Sequence, residues 1–514
     1  MNNMNKLLNV LQIGDSDWRL SLGNKSEKSN WFYLNSDEQG DKKLINSLSG
    51  KIDIYLFTSQ SSLKFLKEFL PGVPAYHLLY NSNLLISDDI YRLLKTKKSF
   101  SVNMENPIAV LNIVENDFSG KQLGAKIDLN RVDINSEFRG KIAFNGHVNV
   151  SLNGFFGEIF SQILLWQYNI PLDKQFDYEL WPEFETSPNV SIELRVNEIQ
   201  QQSSDVIREL RIPQSKLNKP FILKSSGKDS YAFFSIYARG SGCLKIGPLH
   251  YRKSRHSFGQ LIVGGSRFAD SNRKEILTYF DPGDLQPPLN VYFSGYRTAE
   301  GFEGYPMMKS LASPFLLIAD PRVEGGSFYL GTEELEKFVQ KKIFDCLKEL
   351  DFKPNQLILS GLSMGSFGAL YYGSAFKADA IVVGKPLVNI GNIAKNEKIL
   401  RPGGFPTSLD ILNFLINGKH SEQIEQLNKY FWKKFNQADF SNTRLAISYM
   451  LNDDYDPSAY QDILSVLKNK KVSLISKGIP GRHNDNSKAI NDWFIRQFKN
   501  ILSIDFQRGK KNVQ

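Results

Sequence analysis

Residues 355–370 read NQLILSGLSMGSFGAL, and this stretch constrains the chain more than any other. An apolar run of strand type passes into Gly361-Leu362-Ser363-Met364-Gly365 and at once into a helix-forming run, SFGALYY. A serine between two glycines at this spacing matches G-x-S-x-G. A strand before it and a helix after it are the context of a nucleophile elbow. The backbone closes so tightly there that small residues are needed two before and two after the serine. The turn lifts the serine Oγ above the sheet edge. It also aims the next N–H, that of Met364, and the helix N-terminus at a developing oxyanion. The alternative for the same residues is an ordinary glycine turn.

An elbow serine needs a base and an acid, ordered Ser, Asp or Glu, His in α/β-hydrolases. After the strand AISYML comes Asn452-Asp453-Asp454-Tyr455-Asp456-Pro457. Asp453 is the favoured acid, in the first turn after the strand and a few residues before a proline. Asp454 ranks second and Asp456 third. For each, the alternative is a turn residue capping the next helix. The run KVSLISKG ends in the loop Ile479-Pro480-Gly481-Arg482-His483, ahead of the helical NSKAINDWFIRQF. His483 is the only histidine after Asp453. It would take the proton from Ser363 and return it to the leaving group. A second oxyanion donor belongs after an early strand of the same sheet. VYFSGYR ends such a strand, and an N–H of Gly295 or Tyr296 can face Ser363 there. A plain strand-end glycine is the alternative. Phe302, Glu303 and Tyr305 of EGFEGY, Arg322 and the glycines of DPRVEGGSFYLG are further candidates to line the pocket.

A second serine invites the same question. LQIGDSDW places Gly14-Asp15-Ser16 after a strand, like the first block of GDS-type esterases. Those enzymes need a late Asp-x-x-His. The residue three before His483 is Pro480, and no other histidine has the pattern. The stretch reads as a strand-to-helix turn.

Around these motifs the 514 residues divide by pattern. In residues 1–105, strand-like LLNVLQIG, WFYLN, IDIYLFT and AYHLLY alternate with helical KKLINSL, SSLKFLKEFL and DDIYRLLKTKK. That is a Rossmann-like α/β domain. It lacks GxGxxG, so no dinucleotide site is expected. Residues 106–278 carry the strands VSIELRVNEI, RELRIP, PFILKS, YAFFSIYA and CLKIGPLHYRK, separated by turns such as SSGKDS and RGSG. A helix is expected over FFGEIFSQILLWQYN. This region reads as a β-rich, sandwich-like domain, an architecture that often binds carbohydrate or protein. In residues 279–514 the strands LNVYFSG, PFLLIAD, QLILSG, AIVVGK, RLAISYML and KVSLIS alternate with amphipathic helices, including EELEKFVQKKIFDCLKEL. The fold class expected is α/β, with a C-terminal α/β-hydrolase fold preceded by the other two domains. No long apolar lid segment is visible, which disfavours a lipase.

Composition narrows the partners. Sixty-three Lys and Arg against 54 Asp and Glu give a net charge of +9, a mild excess for this length. A solvated basic surface is the first reading, with an anionic membrane surface or an acidic partner as the alternative. No arginine-rich block with interleaved aromatics suggests nucleic acid. Cys243 and Cys346 do not make a disulfide framework. The six histidines form no HxxxH or HExxH pair, so no metal site is expected. Neither a secretory h-region nor a run of about 18 apolar residues occurs. A cytoplasmic location is expected, at most peripheral at the inner face of the membrane. The tail QRGKKNVQ is short and basic.

Taken together, VYFSGYR…EGFEGY, GLSMGS, LNDDYDP and GRH resemble the second accessory secretory protein family of the accessory Sec system. That system exports serine-rich repeat adhesins in streptococci, staphylococci and related Gram-positive bacteria. The resemblance runs the whole length, with its most specific motifs in the C-terminal region. It implies an intracellular acyltransferase that O-acetylates N-acetylglucosamine on the adhesin's serine-rich repeats. It carries triad roles onto Ser363, Asp453 and His483 and implies no cofactor beyond an acetyl donor. The implied partners are the other core accessory secretory proteins, the accessory Sec motor ATPase and the serine-rich repeat glycoprotein. The competing readings are a carbohydrate esterase of the same mechanism and a non-catalytic scaffold or glycan-binding export factor.

Overall fold

The computed structural model describes residues 7–36, 50–323, 325–400, 408–416 and 421–508. The helix expected over KKLINSL and the last six residues of the basic tail lie outside them. The chain forms two compact units. One comprises residues 1–122, 254–266 and 281–284, the other 123–253, 267–280 and 285–514.

The first unit is built on a five-stranded parallel sheet. Its order is Ser29–Asn35, Leu8–Gly14, Ile54–Phe57, Leu78–Asn81, Phe100–Val102. Parallel strands are covered on both faces, which is why Ile54–Phe57 is apolar and buried at every position. Val10, Ile54, Leu56 and Leu79 pack on one face with Trp18, Val110 and Val114. Leu11, Ile13, Tyr55, Phe57 and Leu78 pack on the other with Phe65, Leu66 and Phe69. Numbered along the chain the strand order is 2-1-3-4-5, a doubly wound, Rossmann-like arrangement.

In the second unit an antiparallel sheet is organised by two long strands, Asn149–Trp166 and Ser230–Lys253, paired with each other. The first half of Ser230–Lys253 also pairs with Val190–Gln200 and its second half with Tyr178–Thr186. Two expectations are overturned here. FFGEIFSQILLWQYN is not a helix; most of it lies in the Asn149–Trp166 strand, where its side chains hydrate or bury according to their cross-strand neighbours. RGSG is not a turn between two strands but a bend within one. The register shifts around Gly240, whose φ is +101°, and a Cβ there would sit 1.9 Å from the Asn189 carbonyl oxygen. The chain therefore bends without leaving the ladder. Phe234 and Ile236 before the bend and Leu244 and Ile246 after it then enter one core with Leu164, Trp166 and Leu194. That shared core makes the region sandwich-like.

Apart from the outermost residues of its first two strands, an eight-stranded sheet also falls in this unit, in the order Gly265–Ala269, Glu275–Asp281, Phe315–Ala319, Leu289–Phe293, Leu357–Leu362, Ala380–Gly384, Arg444–Met450, Ser473–Ile479. The last six are parallel. Numbered along the chain this is 1-2-4-3-5-6-7-8, the α/β-hydrolase order. Leu289, Val291, Leu359, Ile381 and Ile447 join the helix residues Val339, Ile343 and Phe367 in its core. Between Ala380–Gly384 and Arg444–Met450 lie the helices Ile390–Leu400, Ser408–Ile416 and Ser421–Gln437, which no motif announces. Leu427, Phe431 and Phe435 of the last helix belong to the same core.

A buried ionic network fastens the two sheets together. Arg252 Nε donates to Glu300 Oε2 at 2.5 Å and Arg252 Nη2 to Glu275 Oε2 at 2.6 Å. His250 bridges Glu300 and Glu183. All five side chains are buried. The neighbouring cations hold the Glu275 carboxyl at about 2 despite its burial.

Candidate active site

The Leu357–Leu362 strand enters the Met364–Gly373 helix through Ser363, whose φ is +54° and ψ −122°. A non-glycine residue in that region is strained and persists only where its surroundings enforce it. Here they do. The Ser363 N–H donates to the Gly384 carbonyl at 2.9 Å. A Cβ on Gly361 would lie 2.2 Å from the Gly365 carbonyl oxygen, and one on Gly365 would lie 2.1 Å from that of Phe293. Both glycines are therefore steric necessities, and the turn is an elbow.

The loops after the last two strands meet above Ser363. Ser363 Oγ and His483 Nε2 are 2.8 Å apart, and His483 Nδ1 lies 2.8 Å from Asp453 Oδ2. The imidazole is 1 % exposed, so little water competes for either nitrogen. The other Asp453 oxygen, Oδ1, accepts the N–H groups of Tyr455 and Asp456 at 2.9 and 3.2 Å, which fixes the carboxylate's orientation. The Tyr455 ring packs edge-on against the imidazole, with centroids 4.2 Å apart.

The three neighbouring carboxylates thus have different surroundings. Asp453 faces the ring. Asp454 accepts the backbone N–H of His483 at 3.0 Å, which holds the loop rather than the ring nitrogen. Asp456 is buried away from the ring, accepting the N–H groups of Val388 and Asn389 at 2.8 and 2.7 Å. Burial raises its pKa above the ordinary carboxylate value.

A cavity of about 430 Å³ opens over Ser363. Gly295, Tyr296, Met364, Glu303, Lys385 and Tyr455 line it. The Gly295 N–H donates to Glu303 Oε2 at 2.5 Å, so this expected oxyanion donor is engaged by a carboxylate from EGFEGY. Burial pushes the Tyr292 phenol, beneath this loop, well above its ordinary pKa, with Glu303 adding to the shift. Burial also lowers the Lys385 ammonium. The remaining pocket candidates lie elsewhere. Phe302 is buried against Tyr279, Tyr305 opens a short helix and packs on Phe315, and Arg322 is buried with Asp320. Gly325 and Gly326 support the site indirectly: Cβ atoms there would strike the Tyr296 ring and the Met364 side chain. Lys385 escapes a motif-based reading because it belongs to no motif, and Tyr455 because within LNDDYDP only the carboxylates carry a recognisable role. Their signal is position, Lys385 directly after the Ala380–Gly384 strand and Tyr455 in the loop that follows Arg444–Met450.

The earlier serine, Ser16, is exposed, and its carbonyl accepts the Gln12 side-chain amide at 2.6 Å. At the end of Leu8–Gly14, Asp15 accepts hydrogen bonds from Ser36, which follows the Ser29–Asn35 strand, and from Ser59 and Ser61, which follow Ile54–Phe57.

Comparison with known proteins agrees with this architecture over the whole chain. The sequence profile of the family described as "Accessory Sec system GspB-transporter" matches residues 8–508. The second accessory secretory protein of the Staphylococcus aureus accessory Sec system is 39 % identical, covering 98 % of both chains. The Streptococcus gordonii protein of the same name is 36 % identical over 99 % of this chain and 100 % of its own. Among solved structures, a chain of the glycosylation-associated protein (Gap123) complex from Streptococcus agalactiae superimposes with a TM-score of 0.90. It is 36 % identical, covering 98 % of this chain and 99 % of that one. The chain belongs to the family of the second accessory secretory protein of the accessory Sec system.

Proposed function

We propose that this member of the second accessory secretory protein family is a serine-dependent O-acetyltransferase acting on N-acetylglucosamine of serine-rich repeat glycoproteins. The observation that carries the chemistry is the continuous Ser363–His483–Asp453 relay, with both links at 2.8 Å on a strained elbow. His483 Nε2 accepts the Ser363 hydroxyl proton as Oγ attacks the carbonyl carbon of an acetyl ester or thioester. The tetrahedral oxyanion is met by the Met364 N–H and by an N–H of the Gly295-Tyr296 loop. The Gly295 donor becomes available when Glu303 exchanges it for substrate. Collapse breaks the bond to the donor's leaving group, which takes the proton from His483 and departs. A sugar hydroxyl then gives its proton to His483 and attacks the acetyl-enzyme. Ser363 Oγ leaves and recovers the proton. Asp453 holds the imidazole tautomer and stabilises the imidazolium throughout.

Transfer requires that the sugar hydroxyl reach the acyl-enzyme before water does. Without that order the same machinery is an esterase. The partners proposed are the other core accessory secretory proteins, the motor ATPase and the glycoprotein itself. A peripheral position on the anionic inner membrane face is compatible with the net charge of +9. The Gap123 likeness supports assembly with sister proteins.

Intact-glycan mass spectra of a co-expressed glycosylated repeat segment test the reading. One acetyl increment per modified N-acetylglucosamine is expected with the unaltered protein and none with Ser363→Ala. Identical spectra would refute it. Net loss of acetyl groups would make the protein an esterase.

A further inference from the structure

A second cavity, of about 510 Å³, lies between the antiparallel sheet and the hydrolase-type sheet, within one compact unit. We propose that it binds a neutral saccharide, separately from the cavity over Ser363.

The charges of this cavity cancel. Glu183, Glu185 and Asp270 face Lys245, Lys274 and Arg322. Each is already engaged by the protein. Lys274 pairs with Glu183, Lys245 Nζ lies 2.9 Å from Glu185 Oε2, and Arg322 Nη2 lies 2.7 Å from Asp320 Oδ2. Asp270 accepts the Thr332 hydroxyl at 2.8 Å. A phosphate or nucleotide would need excess cation, and a basic peptide excess carboxylate; neither is on offer.

Four amide side chains also line the space: Asn145, Asn149, Asn272 and Asn413. An amide both donates and accepts, as a sugar hydroxyl does, so Asn272 and Asn413 can match a hydroxyl in either direction, while Asn145 and Asn149 form a linked pair, Asn145 Nδ2 donating to Asn149 Oδ1 at 2.7 Å. The rings of Phe184 and Phe414 supply apolar wall against which the C–H face of a pyranose can lie. A volume of this size with mixed lining is ordinary for a ligand site.

The wall is held in place. Helix Ser408–Ile416, which carries Phe414, is pinned to the antiparallel sheet by His147. Its Nδ1 lies 2.6 Å from Asp410 Oδ2 and its N–H donates to Asp410 Oδ1 at 3.1 Å. The neighbouring Gly146 has no room for a side chain, since a Cβ would fall 1.8 Å from Asp410 Oδ1. Arg322 and Tyr329 link this cavity to the elbow. Arg322 lines the cavity, and Tyr329, whose N–H donates to Asp320, donates its hydroxyl to the Ser294 carbonyl beside Gly295.

The inference goes beyond the proposed catalysis and stands without it, so it is tested in the Ser363→Ala protein. Chitotriose, cellotriose and maltotriose would be titrated calorimetrically into that full-length chain. At least one should bind. Phe414→Ala should weaken that binding at least tenfold and Asn272→Ala, on an exposed turn, at least threefold, with unchanged thermal midpoints. Tyr455→Ala, in the other cavity, should leave it within twofold. Binding by none of the three overturns the proposal. So does binding that Tyr455→Ala abolishes while Asn272→Ala and Phe414→Ala spare it, or displacement of the sugar by millimolar inorganic phosphate. Failure of the acetylation reading would show instead in the mass spectra, with sugar binding intact.

Discussion

Two strand-to-turn junctions in this molecule look alike in sequence and differ in kind. Gly14-Asp15-Ser16 and Gly361-Leu362-Ser363 both follow a buried parallel strand. At the first, the acidic group is taken up by three serine hydroxyls from the turns after the two neighbouring strands. At the second, the serine is left in a strained conformation and meets a histidine 120 residues away. A glycine–serine turn becomes a candidate nucleophile only when later strands return a base to it. The difference lies in topology rather than in the turn.

The largest expected effect separates the two serines directly. Ser363→Ala should lower acetyl transfer by roughly 10³-fold or more, whereas Ser16→Ala should leave it unchanged. Transfer assays on both variants check this; equal effects would erase the distinction. Next come the acids. Asp453→Asn should cost about 10²- to 10⁴-fold in kcat by misdirecting the imidazole tautomer, and Asp454→Asn at most about tenfold. The reverse ranking would move the acid to Asp454.

The glycines sharpen the comparison sterically. A Cβ on Gly365 meets a fixed carbonyl at 2.1 Å, whereas one on Gly14 meets the Thr58 hydroxyl at 1.9 Å, a group that can rotate. Gly365→Ala should therefore destabilise by on the order of 3 kcal/mol and Gly14→Ala by about 1 kcal/mol. Denaturant titration reads both.

The smallest effect is in pH dependence, and its sign differs between the units. Burial, with Asp505 nearby, raises the Asp379 carboxyl to about 6 from 3.8. A raised acid is held more tightly by the proton when folded. Its contribution to stability is complete below pH 3.8 and lost as pH rises through about 6. Asp379→Asn should stabilise by roughly 1 kcal/mol at neutral pH, after allowance for partial exposure, and by nothing in acid. Asp15 is shifted the other way, lowered first by Ser36 and then by Ser61. Its contribution is present above its ordinary pKa and lost as pH falls through the lowered value. Asp15→Asn should therefore destabilise at neutral pH and not in acid. Thermal midpoints of both variants across pH 3–8 would show the opposite slopes.

Much of the hydrolase region was legible because its signals are local. Buried parallel strands are continuous apolar runs, and the elbow's spacing is dictated by backbone contacts within five residues. The middle of the chain was less legible. In CLKIGPLHYRK the alternation sets His250 and Arg252 on the face away from the sandwich core, which pattern alone reads as solvent. They are buried because a strand of a second sheet supplies Glu275 and the loop after Leu289–Phe293 supplies Glu300. FFGEIFSQILLWQYN reads as a helix, wrongly, for a related reason. Its partner strand begins more than sixty residues later, at Ser230, and no local propensity records that pairing.

Sterics and periodicity over short distances were enough to specify the elbow, the parallel strands around it and the chain order of Ser363, the aspartate loop and His483. Three features had to wait for the folded chain: which of three adjacent aspartates faces the imidazole, the engagement of the Gly295 N–H by Glu303, and the second polar cavity between the sheets. They depend on where loops far apart in sequence converge, and the free energy that places them is shared among contacts that no single segment contains.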